Sequence, residues 1–280
     1  MRSIAQRLPL AVLAMLVNGC DRPTAPTIPP ARALAVRTPN ASISDAVNGG
    51  RLGFYFLPSL VANPGPFDGT FDGTLEPYAT ICQLVNEIVG CGDGENLMTF
   101  PFGGEKPTGI TVDALTESYN ANWNKTTLGI GKYRLSVNVD ATTADGISRQ
   151  IGLGFVDLQV ISKKKDPADA GFVPVVKGSP IPVKFRIETG TVGGIRVGGF
   201  AGVLVVGTRE VIRVSVFDLK GQAMSCPGLT WTSSNPAVIS INATNGVFEA
   251  LAIGESTITV TCRGVSGSTV LNVFPLPVPD

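Results

Sequence analysis

Alternation of apolar and polar residues in three stretches constrains this chain more than any other feature. Tyr133, Leu135, Val137 and Val139 alternate with Arg134, Ser136, Asn138 and Asp140. Val183, Phe185 and Ile187 alternate with Lys184, Arg186 and Glu188, and Val156, Leu158 and Val160 with Asp157 and Gln159. Successive side chains on a strand point to opposite faces, so each stretch offers one face to a core and one to water. Half-buried antiparallel strands read this way. Residues 51–57 supply a further short strand. Asp68-Gly69, Asp72-Gly73, Gly103-Gly104 and Asp145-Gly146 punctuate the series as turns. The one helix expected is short, within residues 75–89 and next to Cys82. With 33 Gly, 21 Pro and only 16% charged residues, and without a long 3.6-residue period, the composition is that of an all-β exported protein.

The N-terminus agrees with export. Arg2 and Arg7 flank the start of an apolar run over residues 8–17, and small Gly19 precedes Cys20. This is the charged region, hydrophobic region and small-residue cleavage site of a secretory signal. Leu16-Val-Asn-Gly-Cys20 resembles the signal of bacterial lipoproteins. The resemblance implies cleavage after Gly19, diacylation of the Cys20 thiol, and a location on the outer side of a bacterial membrane, at the outer membrane or cell surface. The membrane is then met through lipid alone, since neither this run nor any other reaches the ~18–20 apolar residues of a spanning helix. Residues 1–19 are thus read as a lipoprotein signal peptide and 20–50 as a tether rich in proline (Pro23, Pro26, Pro29, Pro30 and Pro39). Such a tether spans about 30 Å as a flexible coil and about 90 Å as polyproline II.

Basic and acidic residues balance at 22 each, and two of the basic ones leave with the signal. Near-neutrality excludes an electrostatic grip on nucleic acid. With Cys20 assigned to lipid, Cys82, Cys91, Cys226 and Cys262 remain, one local pair in each half. In an oxidising compartment they read as two disulfides, although four cysteines allow three connectivities. Zinc is the competing reading, but the chain has no C-x-x-C and no histidine. No metal or cofactor is expected.

Residues 191–276 carry the most specific pattern. Leu229-Thr-Trp-Thr-Ser-Ser-Asn-Pro-Ala-Val238 is followed by Asn245-Gly-Val247, by Ala252-Ile-Gly-Glu-Ser-Thr-Ile-Thr-Val260 and by Gly264-Val-Ser-Gly267. This resembles the group 2 bacterial immunoglobulin-like (Big-2) domain, with Ile253 standing where proline is usual. The resemblance implies an immunoglobulin-like sandwich in which the strand of Leu229 and Trp231 neighbours that of Ile258, Val260 and Cys262. The start of the first then lies beside the end of the second. That arrangement brings Cys226 to Cys262 and makes Trp231 a core residue. Residues 51–190 form another β-sandwich module. Its segments 54–61, 69–82, 119–124 and 179–190 resemble a module of exported multidomain bacterial proteins that carries no established activity, so the resemblance implies architecture only. The expected fold is therefore all-β, two tandem β-sandwich domains after a signal peptide and tether. The Gly-containing boundary at 189–194 shows nothing that would hold the two bodies rigid.

Catalytic signatures are sparse. Without histidine, Ser-His-Asp and Cys-His machinery is impossible within the chain. Gly264-Val-Ser-Gly-Ser268 misses G-x-S-x-G, Gly129-Ile-Gly-Lys132 lacks the rest of a P-loop, and Ser162-x-x-Lys165 sits in a lysine run typical of a solvated turn. Asp68 with Asp72, and Asp93-Gly-Glu-Asn96, could supply oxygen ligands to calcium, but neither follows a calcium-loop pattern and both read first as Asp-Gly turns. The expectation is a non-enzymatic, lipid-anchored envelope protein with no catalytic residues, presenting a surface for adhesion or for an envelope protein or polysaccharide. Its recognition surface is placed around the Cys82–Cys91 loop and at Tyr119 and Trp123. The alternatives are a carbohydrate-binding module, against which the four Tyr and two Trp count, and a histidine-free glycoside hydrolase or lyase, which needs only two carboxylates across a cleft.

Overall fold

The computed structural model describes residues 43–85, 90–92, 96–104, 109–123, 127–142, 148–199 and 203–276. The strand pattern read from the sequence is present. In the first body, β1 (Ile43–Ser44), β2 (Phe54–Phe56), β3 (Tyr78–Gln83), β4 (Met98–Phe100) and β5 (Thr111–Asp113) are short. They are followed by β6 (Ser118–Trp123), the long pair β7 (Gly131–Thr142) and β8 (Ser148–Ile161), then β9 (Val173–Val176) and β10 (Ile181–Ile187). One sheet runs β1-β8-β7-β3-β4, with β9 also on β8, and the other runs β2-β10-β6-β5. Their facing residues form one core that includes Phe54, Phe56, Phe100, Leu135, Val156 and Phe185.

The pleat explains which residues enter that core. Tyr133, Leu135, Val137, Val139 and Ala141 are all buried, while Arg134, Ser136 and Asn138 between them are half exposed. The alternation then meets an irregularity: Val137 opposes Gly154 but Asn138 opposes Gly152, which leaves Leu153 unopposed on β8. A bulge of this kind bends its strand and increases the local twist. Gly154 is required here because β1 crosses it closely. A Cβ at this position would lie 2.6 Å from the Phe54 ring and closer still to the Ser44 carbonyl oxygen.

The short helix expected within 75–89 is not found in its described part. Residues 78–83 are β3, paired with β7 on one side and β4 on the other, and residues 86–89 lie outside the described residues. Ala79, Thr80, Ile81 and Cys82 are buried in succession. With both faces of the strand covered, an unbroken buried run replaces the alternation by which a strand is recognised.

The second body holds β11 (Val192–Val197), β12 (Leu204–Val205), β13 (Arg209–Val211), β14 (Val214–Asp218) and β15 (Ala223–Met224). After these come β16 (Thr230–Ser233), β17 (Ile239–Ile241), β18 (Val247–Ala250), β19 (Gly254–Cys262) and β20 (Val265–Phe274). One layer is β12-β20-β19-β16. The other joins β11-β14-β15 to β13-β18-β17, because β13 and β14 are one run interrupted at Ile212 and Arg213. These layers make an immunoglobulin-like sandwich. Trp231 opposes Val260 across β16 and β19 and sits in a core with Phe248, Ile258, Leu271 and Val273. Gly246 adopts φ 70° beneath it, where a Cβ would come within 2.6 Å of the indole.

The boundary between the bodies is held by specific contacts. Leu219, just after β14, is 3% exposed and packs with the first core, not the second. Lys220 places its Nζ 2.9 Å from Asp72. Arg263 donates to Gly190 O at 3.2 Å. Arg51 donates from Nε to Gly152 O at 3.2 Å and from Nη1 to the carbonyls of Val192 and Gly193. The described residues of both bodies accordingly belong to one compact unit.

Candidate functional site at the junction of the two sandwiches

Both disulfides join the pairs read from the sequence, Cys82–Cys91 and Cys226–Cys262, with Cα separations of 5.8 and 6.3 Å. The first closes a loop at the end of β3, on the end of the first sandwich away from the junction. Exposed Val85, Leu97 and Ile130 lie at that end. Cys20 lies outside the described residues.

Tyr119 and Trp123 do not belong to a surface. Tyr119 is fully buried and Trp123 is 4% exposed. The Tyr119 ring stacks on Phe185 at 5.3 Å, and Trp123 packs edge-on against Phe100 at 5.6 Å. The Tyr119 hydroxyl donates to Asp72 O at 2.6 Å and accepts from Leu75 N at 3.2 Å. Burial raises its pKa above that of a free phenol. The placement of these two rings in a recognition surface is therefore corrected: on β6 they take the inward positions and hold the core.

The carboxylates considered for calcium are otherwise engaged. Asp72 accepts from the Thr74 amide and hydroxyl and pairs with Lys220. Burial works against its charge, yet those hydrogen bonds hold the carboxyl below its ordinary pKa. Asp93 and Glu95 lie outside the described residues, and among the described residues no group of three or more acidic, Cys or His side chains is placed to hold a metal.

Among the described residues, a concavity lies at the junction. Two hollows, of about 330 and 490 Å³, share Arg51, Gly152, Val265 and Ser266. Together they follow β8 from Arg149 to Phe155, six residue steps or ~20 Å along a strand. On the Arg149 side the walls are the β7–β8 hairpin and β11 with the end of β14, carrying Arg149, Arg196 and Asp218. On the Phe155 side they carry Ser136, Asn138, Ser44 and several glycines. Arg149 and Arg196 are exposed. Arg51 lies where the hollows meet, and burial pulls its guanidinium below the ordinary pKa. Its partners are carbonyl oxygens, with no carboxylate among them.

Among the described residues, Asp218 is the acidic residue lining these hollows, and its Oδ1 accepts the amides of Lys220 and Gln222. On the Arg149 side, Gln150 donates to the Tyr78 hydroxyl, which donates in turn to Asp140 at 3.2 Å. Phe155 is covered by Arg134, whose guanidinium lies 3.7 Å from the ring centre and binds Asp157 through two hydrogen bonds of 2.7 and 3.0 Å. None of these groove residues was singled out from the sequence as a site. Arg51 stands at the start of a strand candidate and Arg149 and Arg196 carry no motif, so only the assembled junction brings them together.

No family model matches the chain, and none of the curated proteins is similar to it. Among solved structures, domains 4 and 5 of the S-layer protein SbsC align with 65% of this chain and 87% of their own length, at 14% identity and a TM-score of 0.25. The C-terminal 282-residue fragment of intimin, in complex with the intimin-binding domain of the translocated intimin receptor, aligns with 58% of this chain and 55% of its own, at 13% identity and a TM-score of 0.22. At that level the likeness carries no argument, and the all-β architecture stands on the strands and registers described above.

Proposed function

We propose that this chain is a non-enzymatic, lipid-anchored protein of the bacterial cell envelope whose two sandwiches present a surface for adhesion or for interaction with protein or polysaccharide. The observation that carries the reading is the joining of two disulfide-bonded sandwiches in one compact unit. Disulfides persist in oxidising compartments, and a unit braced in this way keeps its surfaces at fixed positions. The layers of the second sandwich, with β12 parallel to β20, support its reading as a Big-2 domain.

Two measurements test the proposal. Labelled palmitate should enter the native chain and not Cys20→Ser, and the native chain should sediment with envelope membranes. The disulfide-bonded protein should retain an envelope fraction without degrading it. A soluble, unlabelled native chain would remove the anchor, and release of reducing sugar from a retained polysaccharide would replace binding with catalysis.

A further inference from the structure

We infer that the end of the first sandwich away from the junction docks on a membrane, where Lys163, Lys164, Lys165 and Lys177 meet anionic lipid headgroups. The inference deepens the lipid-anchor reading and rests on it. All four lysines are exposed, and among the described residues none of them has a carboxylate partner. The other described lysines are engaged: Lys132 with Asp169, Lys184 with the Thr116 hydroxyl and Lys220 with Asp72. Lys163, Lys164 and Lys165 lie in the turn after β8, and the Lys177 amide donates to Ile161 O at 2.9 Å. One corner of the sheet therefore carries all four. Asp166 is the acid within that turn, and its carboxylate accepts the Lys163 amide at 2.9 Å. Glu87, Asp93 and Glu95 belong to the connection between β3 and β4, outside the described residues. Those two strands stand two and three places from β8 in the sheet, ~10 Å or more, past the ~8 Å Debye length of physiological salt.

The course of the chain and the apolar neighbours favour a lipid surface over a dissolved polyanion. β1 runs antiparallel to β8, with Ile43 opposite Val156 and Ser44 opposite Phe155. The chain thus enters β1 from the side of β8 that leads to Ile161 and the lysine turn, ~17 Å further along the strand. Residues 21–42 span about 25 Å as a flexible coil, enough for a bilayer holding the Cys20 lipid to reach that turn. Ile130, 65% exposed, precedes Gly131, which pairs with Val160. Val85, 68% exposed, follows Leu84, whose amide donates to Lys132 O. These side chains stand at the same end as the cations and offer apolar contact at the headgroup boundary. Lysine suits such a surface, because its stem covers apolar ground while the ammonium stays in water. Docking here leaves the junction and the second sandwich directed away from the bilayer.

The test anchors the native chain in phosphatidylcholine vesicles with and without phosphatidylglycerol, and follows acetylation of each lysine by mass spectrometry. Four lysines near an anionic surface give an association constant on the order of 10³ M⁻¹. The tether supplies an effective concentration in the mM range, so docked and free forms are about equally populated. Lys163, Lys164, Lys165 and Lys177 should therefore label about twofold more slowly on phosphatidylglycerol vesicles alone, and high salt should remove the difference. Lys184 and Lys220 should label equally on both. Lys163→Glu, Lys164→Glu and Lys165→Glu together, all exposed changes, should leave the melting temperature in place and abolish the protection of Lys177. Slowing of Lys184 and Lys220 to the same degree, or protection of Lys177 that survives the triple change, would overturn the assignment. So would poly-L-glutamate in solution, if it protected the four lysines as fully as phosphatidylglycerol does. If the native chain stays with both vesicles and labels equally, only the docking surface falls. If it stays with neither, the lipid anchor falls and the docking surface with it.

Discussion

Leu219 belongs by sequence to the second sandwich and by packing to the first, so truncating it should weaken the body it is not part of. It is 3% exposed and sits among the residues of the first core. Leu→Ala changes at buried sites cost about 2–5 kcal/mol, the transfer term plus the cavity left behind. The site lies at the junction, where neighbours can partly collapse, which places the expected loss at the lower end, about 2–3 kcal/mol. With a urea slope of about 2–3 kcal/mol per M, the midpoint should fall by roughly 1 M. The chain supplies its own reporters, because it has two tryptophans, Trp123 in the first core and Trp231 in the second. In a Trp231→Phe background, Trp123 fluorescence follows the first body alone, and Leu219→Ala should move that transition by the full amount. A Trp123 transition that stays in place would refute the packing argument, and with it the view that the junction is part of the first core.

Other perturbations have equally definite outcomes. Gly154→Ala should lower stability by about 1–3 kcal/mol, because the new methyl meets Ser44 and Phe54; an unchanged thermal midpoint would mean that β1 does not cross so closely. Replacing Cys226 and Cys262 with serine should cost about 4 kcal/mol and replacing Cys82 and Cys91 about 3, following the lengths of the loops released; denaturant titration of the two double variants tests the order. The Tyr55 phenol is pushed up to about 12 by burial first and then by Glu188 and Asp68. The unfolded chain gives up this proton near pH 10, so the contribution is constant below that pH and is lost between about 10 and 12. Urea midpoints at pH 9 and 11.5 should therefore fall less steeply in Tyr55→Phe than in the native protein.

Legibility from the sequence followed exposure to water. The alternation of β7, β8 and β10 showed the strands and their apolar sides, but only β7 keeps its polar side in water throughout: Asp157 on β8, Arg186 on β10 and Glu188 just after it, expected to face water, are buried in ion pairs. Trp231 and the two disulfide pairs could be placed because each depends on local spacing within one body. β3 was hidden by being covered on both sides, and it passed for part of a helix. Tyr119 and Trp123 passed for surface rings because a polar-rich segment, Tyr-Asn-Ala-Asn-Trp, surrounds them, yet their alternate positions all turn inward. The junction was the least legible part. It is built from Arg51 bonded to backbone carbonyls, from Leu219 inserted in a foreign core, and from the Lys220–Asp72 pair. Backbone acceptors leave no mark on residue type, and a single leucine after a strand looks like any other.

Arg51 also determines where tension would travel. It stands seven residues beyond Ser44 of β1 and grips Gly152 in the first sandwich and Val192 and Gly193 in the second. A pull on the chain before Ile43 therefore reaches both sandwiches at once, and the hydrogen bonds of one side chain share the load that would otherwise fall on the two-residue ladder of β1 alone.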